Sequence, residues 1–288
     1  MGIKVLFVYP NSYGMNMLPP AIALLSGVLK KEGHLVELFD TTYYKPDLIT
    51  DSDGTKRDHH ATQVDRLNVI PFGSGGFTPK INTTDWRNDF KKQVQSFNPD
   101  LIAMSCTEDM WELGLSMLEE VERYIVENQI PVLAGGVFPT FAPEIVIKHF
   151  LINLVCVGEG ENAIRNLCER IERGGSYHDV TNLWVKGRDG TVFKNQMSDP
   201  VDVNAMPMMD IDLFEEQRLY RPMAGKWYKM LPVETIRGCP YKCTYCNSPN
   251  QMEIYDTNID ADYFRKKRID LVYKELKYFK DNVGVEHN

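Results

Sequence analysis

Over the first 175 residues, short apolar runs alternate with segments whose apolar positions recur every three or four residues. That is the pattern of βα units built around a parallel sheet. Ile3 to Tyr9 is almost wholly apolar and predicts a first strand. Pro20 opens a helix to Leu29, with Ile22, Leu25, Val28 and Leu29 on one face, and Gly33 ends it before a second strand from Leu35 to Phe39. From about 45 to 82 the pattern gives way to polar and turn residues, including Asp51-Ser52-Asp53-Gly54 and Gly73-Ser74-Gly75-Gly76, an insertion longer than ordinary connections. Alternation then resumes: a helix near Thr84 to Phe97, a strand Leu101 to Ser105, a helix Met110 to Asn128, a strand Pro131 to Ala134, a strand Leu154 to Val157, and a helix to about Arg173.

These elements predict an α/β fold, a Rossmann-like (flavodoxin-like) five-stranded parallel sheet with flanking helices over 1–175, with the insertion at about 45–82. Leu183 to Phe193 predicts a β-hairpin turning at Arg188-Asp189-Gly190. A linker carrying Pro200, Pro207, Pro222 and Pro232 completes 176–232. In 233–288 a strand, Val233 to Ile236, leads into a cysteine-rich loop, and a charged helix from about Ala261 to Asp281 follows.

Composition narrows the function. The 288 residues are 43% hydrophobic and 25% charged, enough for packed cores without covalent staples. Lys plus Arg number 32 against 40 Asp plus Glu, a net charge of -8, so the surface repels phosphate backbones and nucleic acid is not an expected partner. No apolar run reaches the ~20 residues of a bilayer span. Met1 leads straight into the first strand rather than a signal peptide, so a cytoplasmic location is expected. Three of the six cysteines, Cys106, Cys156 and Cys168, are scattered among apolar neighbours and read as buried thiols; the other three cluster.

The cluster is Arg237-Gly238-Cys239-Pro240-Tyr241-Lys242-Cys243-Thr244-Tyr245-Cys246-Asn247-Ser248-Pro249, a C-x3-C-x2-C array of soft thiolate ligands. Iron-sulfur clusters take such ligands, and three cysteines for four irons leave one iron open to a small molecule. Structural zinc also accepts cysteines but generally takes four ligands, and no fourth is apparent. The loop resembles the radical S-adenosylmethionine superfamily, whose signature has this spacing and an aromatic residue before the third cysteine, here Tyr245. The resemblance implies a 4Fe-4S cluster on Cys239, Cys243 and Cys246, S-adenosylmethionine chelated to the open iron with Tyr245 near its adenine, and cleavage to a 5'-deoxyadenosyl radical.

In an open parallel sheet, ligands bind beyond the carboxyl ends of the strands. Four loops stand there: Asn11-Ser12-Tyr13-Gly14, Ser105-Cys106-Thr107, Gly135-Gly136 and Gly158-Glu159-Gly160-Glu161. Neither G-x-G-x-x-G after the first strand nor a Walker-type Gly-Lys-Ser/Thr is present, which removes the usual support for nicotinamide and nucleoside triphosphates. Ser105-Cys106-Thr107 and Gly135-Gly136, separated by 27 residues, resemble the cobalamin-binding domain, with its Ser-x-Thr after one strand and Gly-Gly after the next. That resemblance implies that these four loops, Asn11 to Gly14 and Gly158 to Gly160 included, hold cobalamin, with Ser105, Thr107, Gly135 and Gly136 lining its nucleotide-tail pocket. The histidine motif that ligates cobalt in the best-known form of the domain is absent from Asn11 to Met17. His59 and His60 lie in the insertion and read as solvated. Turn chemistry alone also favours Gly, Ser and Asn in such loops, and Glu159 and Glu161 suit a helix N-terminus electrostatically.

Together the two resemblances imply a cobalamin-dependent radical S-adenosylmethionine enzyme, performing methyl transfer or a related radical C–H modification or cyclisation on a small molecule or natural product. A flavodoxin or ferredoxin would be the reductant. Only the first βα unit of the radical domain's barrel is present, so we expect a truncated chain, completed by a second chain or showing little turnover alone. Two other readings stay open: a cobalamin carrier or sensor with a vestigial cluster loop, and a methylthiotransferase-like enzyme.

Overall fold

A computed structural model describes residues 2–12, 17–44, 77, 79–223, 226–259 and 262–286. Five strands run parallel: β1 (Lys4–Tyr9), β2 (Leu35–Asp40), β3 (Leu101–Ser105), β4 (Val132–Gly135) and β5 (Leu154–Cys156). The predicted hairpin, β6 (Leu183–Lys186) and β7 (Val192–Lys194), joins the same sheet antiparallel, giving the order β2-β1-β3-β4-β5-β6-β7. The parallel part thus has the flavodoxin-like order 2-1-3-4-5, and its crevice lies where the chain switches direction beside β1.

The apolar strands are buried on both faces, and alternation divides their side chains between two cores. Val5 and Phe7 point to a core shared with Ile22 and Leu29 of α1 (Pro20–Lys31) and Ile164 and Leu167 of α7 (Glu161–Glu172). Leu6 and Val8 point to the other, against Phe90 and Val94 of α2 (Trp86–Phe97) and Met117 and Leu118 of α3 (Trp111–Glu120). The Asp85 carboxylate accepts from the Arg87 backbone N–H at 3.1 Å and starts α2, while Asn98, left-handed at φ 52°, ends it. The helix expected over 110–128 breaks at Val121, whose φ of -118° separates α3 from α4 (Glu122–Asn128). Two short helices, α5 (Val137–Phe141) and α6 (Pro143–Val146), lie between β4 and β5.

The proline-rich segment after the hairpin packs onto the sheet. Val201, Val203, Leu219 and Leu231 are buried, and Arg218 pairs with Asp40 at the end of β2 at 3.1 Å and donates to the Met17 carbonyl at 3.1 Å. A small ribbon, β8 (Tyr220–Met223) and β9 (Lys226–Lys229), follows. The next strand, β10, spans only Ile236–Arg237 and pairs antiparallel with β11 (Arg265–Lys266). Between them lie the cysteine loop and an unforeseen helix, α8 (Ser248–Asn258). Because β11 occupies part of the expected 261–281 helix, α9 covers only Ile269–Tyr278, continued by a wide turn Phe279–Val283. Phe279 and Val285 return to the first core. Among the described residues, no helix is long and apolar enough to cross a membrane.

Candidate functional site

A cavity of about 480 Å³ opens at the carboxyl ends of β3, β4 and β5, within the size range of small-molecule sites. Its floor is Ser105 at the end of β3, Gly135 and Gly136 at the end of β4, and Gly158, Glu159 and Gly160 after β5. Leu24 and Leu25 of α1 and, from the segment around the cysteine loop, Arg237, Tyr255 and Tyr263 also line it. Six of the residues expected from the sequence are thereby brought together.

The glycines differ in what they permit. At Gly136, φ is +104° and a Cβ would lie 2.8 Å from the Cys106 carbonyl oxygen, so only glycine fits the backbone. At Gly135 a Cβ would meet nothing nearer than Cys156 at 3.7 Å, and at Gly160 nothing nearer than Leu25 at 3.5 Å. Side chains at those two positions would occupy the cavity itself. Thr140 joins two floor loops: its hydroxyl donates to the Gly136 carbonyl at 2.8 Å and accepts from the Gly158 N–H at 3.2 Å. Asn182, buried and left-handed at φ 66°, holds the third side by donating to the carbonyls of Val157 at 3.1 Å and Glu159 at 3.3 Å. Sequence reasoning missed both, since neither belongs to a glycine motif.

The remaining expected residues lie elsewhere. Cys106 is buried in the opposite core, where burial pushes its thiol up to about 12. Thr107 is exposed and donates to Asp109. Asn11 ties the end of β1 to the end of β2: its backbone N–H donates to the Thr41 hydroxyl and its amide to the Thr42 hydroxyl, each at 2.8 Å. Ser12 beside it is partly exposed. Tyr13 and Gly14 lie outside the described residues, as do residues 45–76 of the insertion with His59 and His60. Cys156 and Cys168 are buried in the first core, and burial pushes both thiols up to about 12.

The cysteine loop begins at Gly238, whose φ of +85° and close approach to the Tyr263 carbonyl exclude a Cβ. Cys239 and Cys243 are half-buried and Cys246 is exposed. The Cys243 carbonyl accepts from the Cys246 N–H at 3.2 Å, and the Cys246 Sγ accepts from the Ser248 N–H at 3.4 Å. Among the described residues, no three His, Cys, Asp or Glu side chains converge as a metal site. The loop's three accessible thiols are nevertheless the soft donor set that an iron-sulfur cluster takes. Tyr245 is 90% exposed, available to a ligand and committed to no packing.

Ion pairs hold this loop against the cavity floor. Arg237, immediately before Gly238, forks onto Glu234 at 2.7 and 3.1 Å, meets Glu161 at 2.5 Å and approaches Glu159 at 3.5 Å. Glu159 also pairs with Arg265 of β11 and accepts from the Val201 N–H at 2.8 Å. The Glu159 N–H donates to the Tyr255 hydroxyl at 2.9 Å. Glu159 and Glu161 therefore clamp the cysteine segment to the sheet, well beyond a helix N-terminal effect. Burial, then the charge of Glu159, pushes the neighbouring Tyr263 hydroxyl up to about 12, so it stays protonated.

Residues 78–168 match the family model described as B12 binding domain. The chain is 25% identical over 163 residues to 4'-phospho-dehydrooxetanocin synthase of Priestia megaterium, covering 55% of this chain and 21% of the relative. It is 28% identical over 205 residues to an uncharacterized methyltransferase of Pyrococcus horikoshii, covering 69% and 40%. It is 26% identical over 153 residues to bacteriochlorophyllide d C-12(1)-methyltransferase of Chlorobaculum tepidum, covering 53% and 27%. The chain thus spans well under half the length of these relatives. Among solved structures, OxsB, a cobalamin-dependent S-adenosylmethionine radical enzyme with aqua-cobalamin and S-adenosylmethionine bound, superposes with a TM-score of 0.64 at 20% identity, over 96% of this chain and 31% of its own. The radical S-adenosylmethionine methyltransferase TsrM of Kitasatospora setae gives 0.59 at 18% identity, over 98% and 46%. Residues 78–168 thus match the B12 binding domain, and the chain around them shares the fold of OxsB and TsrM.

Proposed function

We propose that this chain binds cobalamin in the cavity at the carboxyl ends of β3 to β5 and holds a 4Fe-4S cluster and S-adenosylmethionine at the cysteine loop, for methyl transfer or a related radical C–H modification. One observation carries the reading: Ser105, Gly135, Gly136 and Gly158 to Gly160, all inside the matched domain, line a single cavity, and Arg237 and Tyr255, which flank the cysteine loop on either side, line it too. When bound, the cluster supplies the electron that cleaves S-adenosylmethionine to a 5'-deoxyadenosyl radical, and cobalamin supplies a methyl carrier.

The chain's own residues bind and orient. Gly135 and Gly160 leave room for the nucleotide tail, the Ser105 hydroxyl offers a hydrogen bond, and Leu24 and Leu25 supply an apolar wall. Cys239, Cys243 and Cys246 would ligate three irons, and the exposed ring of Tyr245 would lie against adenine. A small-molecule or natural-product substrate and a flavodoxin or ferredoxin reductant complete the proposal.

Anaerobic reconstitution of the full chain tests it. Uptake of cobalamin together with about four irons per chain, the irons lost in Cys243→Ala, is expected. Cobalamin uptake without iron would replace the enzyme reading with that of a carrier, and absence of cobalamin uptake would end both.

A further inference from the structure

Resting on the reading that the cavity takes cobalamin, the geometry points to a coupling device: Tyr255 and Glu159 join the cavity floor to both ends of the cysteine loop, so that filling the cavity and ordering the loop favour one another. Neither residue touches the reacting atoms in this role; both are positioning residues.

The loop's downstream end runs into α8, which begins at Ser248, two residues after Cys246. Tyr255 on that helix is 1% exposed, packs with its ring tilted by 32° against that of Tyr263, the centroids 4.8 Å apart, and lines the cavity. Its hydroxyl accepts from the Glu159 N–H at 2.9 Å, and a Cβ on Gly158 would lie 2.8 Å from the same oxygen. Helix and floor are in contact with no slack between them. The loop's upstream end is Arg237, held by Glu161 at 2.5 Å and by Glu159 at 3.5 Å. Glu159 further grips Arg265 of β11, the strand paired with β10. One short turn, 158–161, therefore anchors the loop before Cys239 and after Cys246, and all four of its residues line the cavity.

The loop has few anchors of its own. Tyr241 and Tyr245 are 71% and 90% exposed, and Cys246 is exposed with only local hydrogen bonds. A segment so placed takes its order from what holds its ends. A ligand that firms the turn firms the loop, and by linkage a cluster that firms the loop must tighten that ligand by the same factor.

Amide hydrogen exchange on the full, metal-free chain, with and without hydroxocobalamin, reads the coupling. We expect hydroxocobalamin to slow exchange across 238–259 by roughly fivefold or more, and its Kd, followed by absorbance, to tighten by a similar factor after iron and sulfide reconstitution. In Tyr255→Phe, which removes the acceptor for Glu159, both effects, each read at saturation against that variant's own hydroxocobalamin Kd, fall towards unity. Glu159→Gln, which weakens Arg237 and Arg265 but keeps Tyr255, should show the same loss and serves if the first variant does not fold. Slowing confined to 105–160 overturns the coupling and leaves the cobalamin reading intact. No cobalamin uptake overturns that reading and the coupling with it.

Discussion

Gly135 and Gly136 are adjacent and serve different ends. Gly135→Val would place methyl groups in the cavity, with no protein atom nearer than 3.7 Å to the new Cβ, so we expect the fold to persist and cobalamin affinity to fall by at least roughly tenfold. Gly136→Ala must adopt φ +104° with its Cβ 2.8 Å from the Cys106 carbonyl, and is expected to lose about 1–3 kcal/mol, read from urea unfolding without any ligand. If the two substitutions gave the same pattern, the division between floor space and backbone constraint would be wrong. The six cysteines divide as sharply. Burial moves Cys106, Cys156 and Cys168 from 9.0 up to about 12. At pH 8 iodoacetamide should therefore modify Cys239, Cys243 and Cys246 of the metal-free folded chain and spare the other three, a distinction mass spectrometry resolves. The same shifts set an alkaline limit. Between pH 9 and 12 the unfolded chain releases thiol protons that the folded chain retains, so these groups stabilise the fold fully below pH 9, and that contribution is lost as pH rises through this window. Alkaline titrations that left the urea midpoint flat across it would contradict the burial.

The elements nearest the cavity floor were legible because each strand is buried on both faces and reads as a continuous apolar run, as Leu101 to Ser105 does. Helix α8 was not, because among its described side chains only Tyr255 is buried, too little to impose a periodic apolar face. The clamp was equally hidden. Glu159 and Arg265 are 106 residues apart, and no local pattern marks an ion pair formed by tertiary packing. Thr140 and Asn182 share that invisibility, since their hydrogen bonds join loops that only the finished sheet brings together. At this scale Arg237→Ala is informative. It strands the buried Glu161 carboxylate, and with side chains 16% and 8% exposed the cost should reach up to about 3 kcal/mol, the low end for a buried pair broken from one side. Arg237→Lys should recover only part of it, because a point charge cannot fork onto Glu234 while reaching Glu161. Equal urea midpoints for wild type and Arg237→Ala would show the clamp to be ornamental.

Across the whole molecule, the sheet separates two cores, and the cavity opens above the first of them, where Leu25, Ile164 and Leu133 contribute both to packing and to cavity wall. The sequence pattern conveyed the βα alternation but not that the hairpin would extend the sheet, because edge pairing depends on what β5 leaves uncovered rather than on the hairpin's own residues. Nor did it convey that 201–231 would pack as firmly as it does, since Val203, Leu219 and Leu231 are isolated apolar residues in a proline-rich stretch. Such a molecule should report cavity occupancy as global stability. A ligand binding only the folded chain at 100 times its Kd adds about 2.7 kcal/mol, which for 288 residues raises Tm by roughly 5 °C. Hydroxocobalamin should produce that shift in the metal-free wild type and about half of it or less at the same concentration in Gly135→Val, whose affinity is at least roughly tenfold weaker. A wild-type Tm unmoved by saturating hydroxocobalamin would mean that the cavity is not its site.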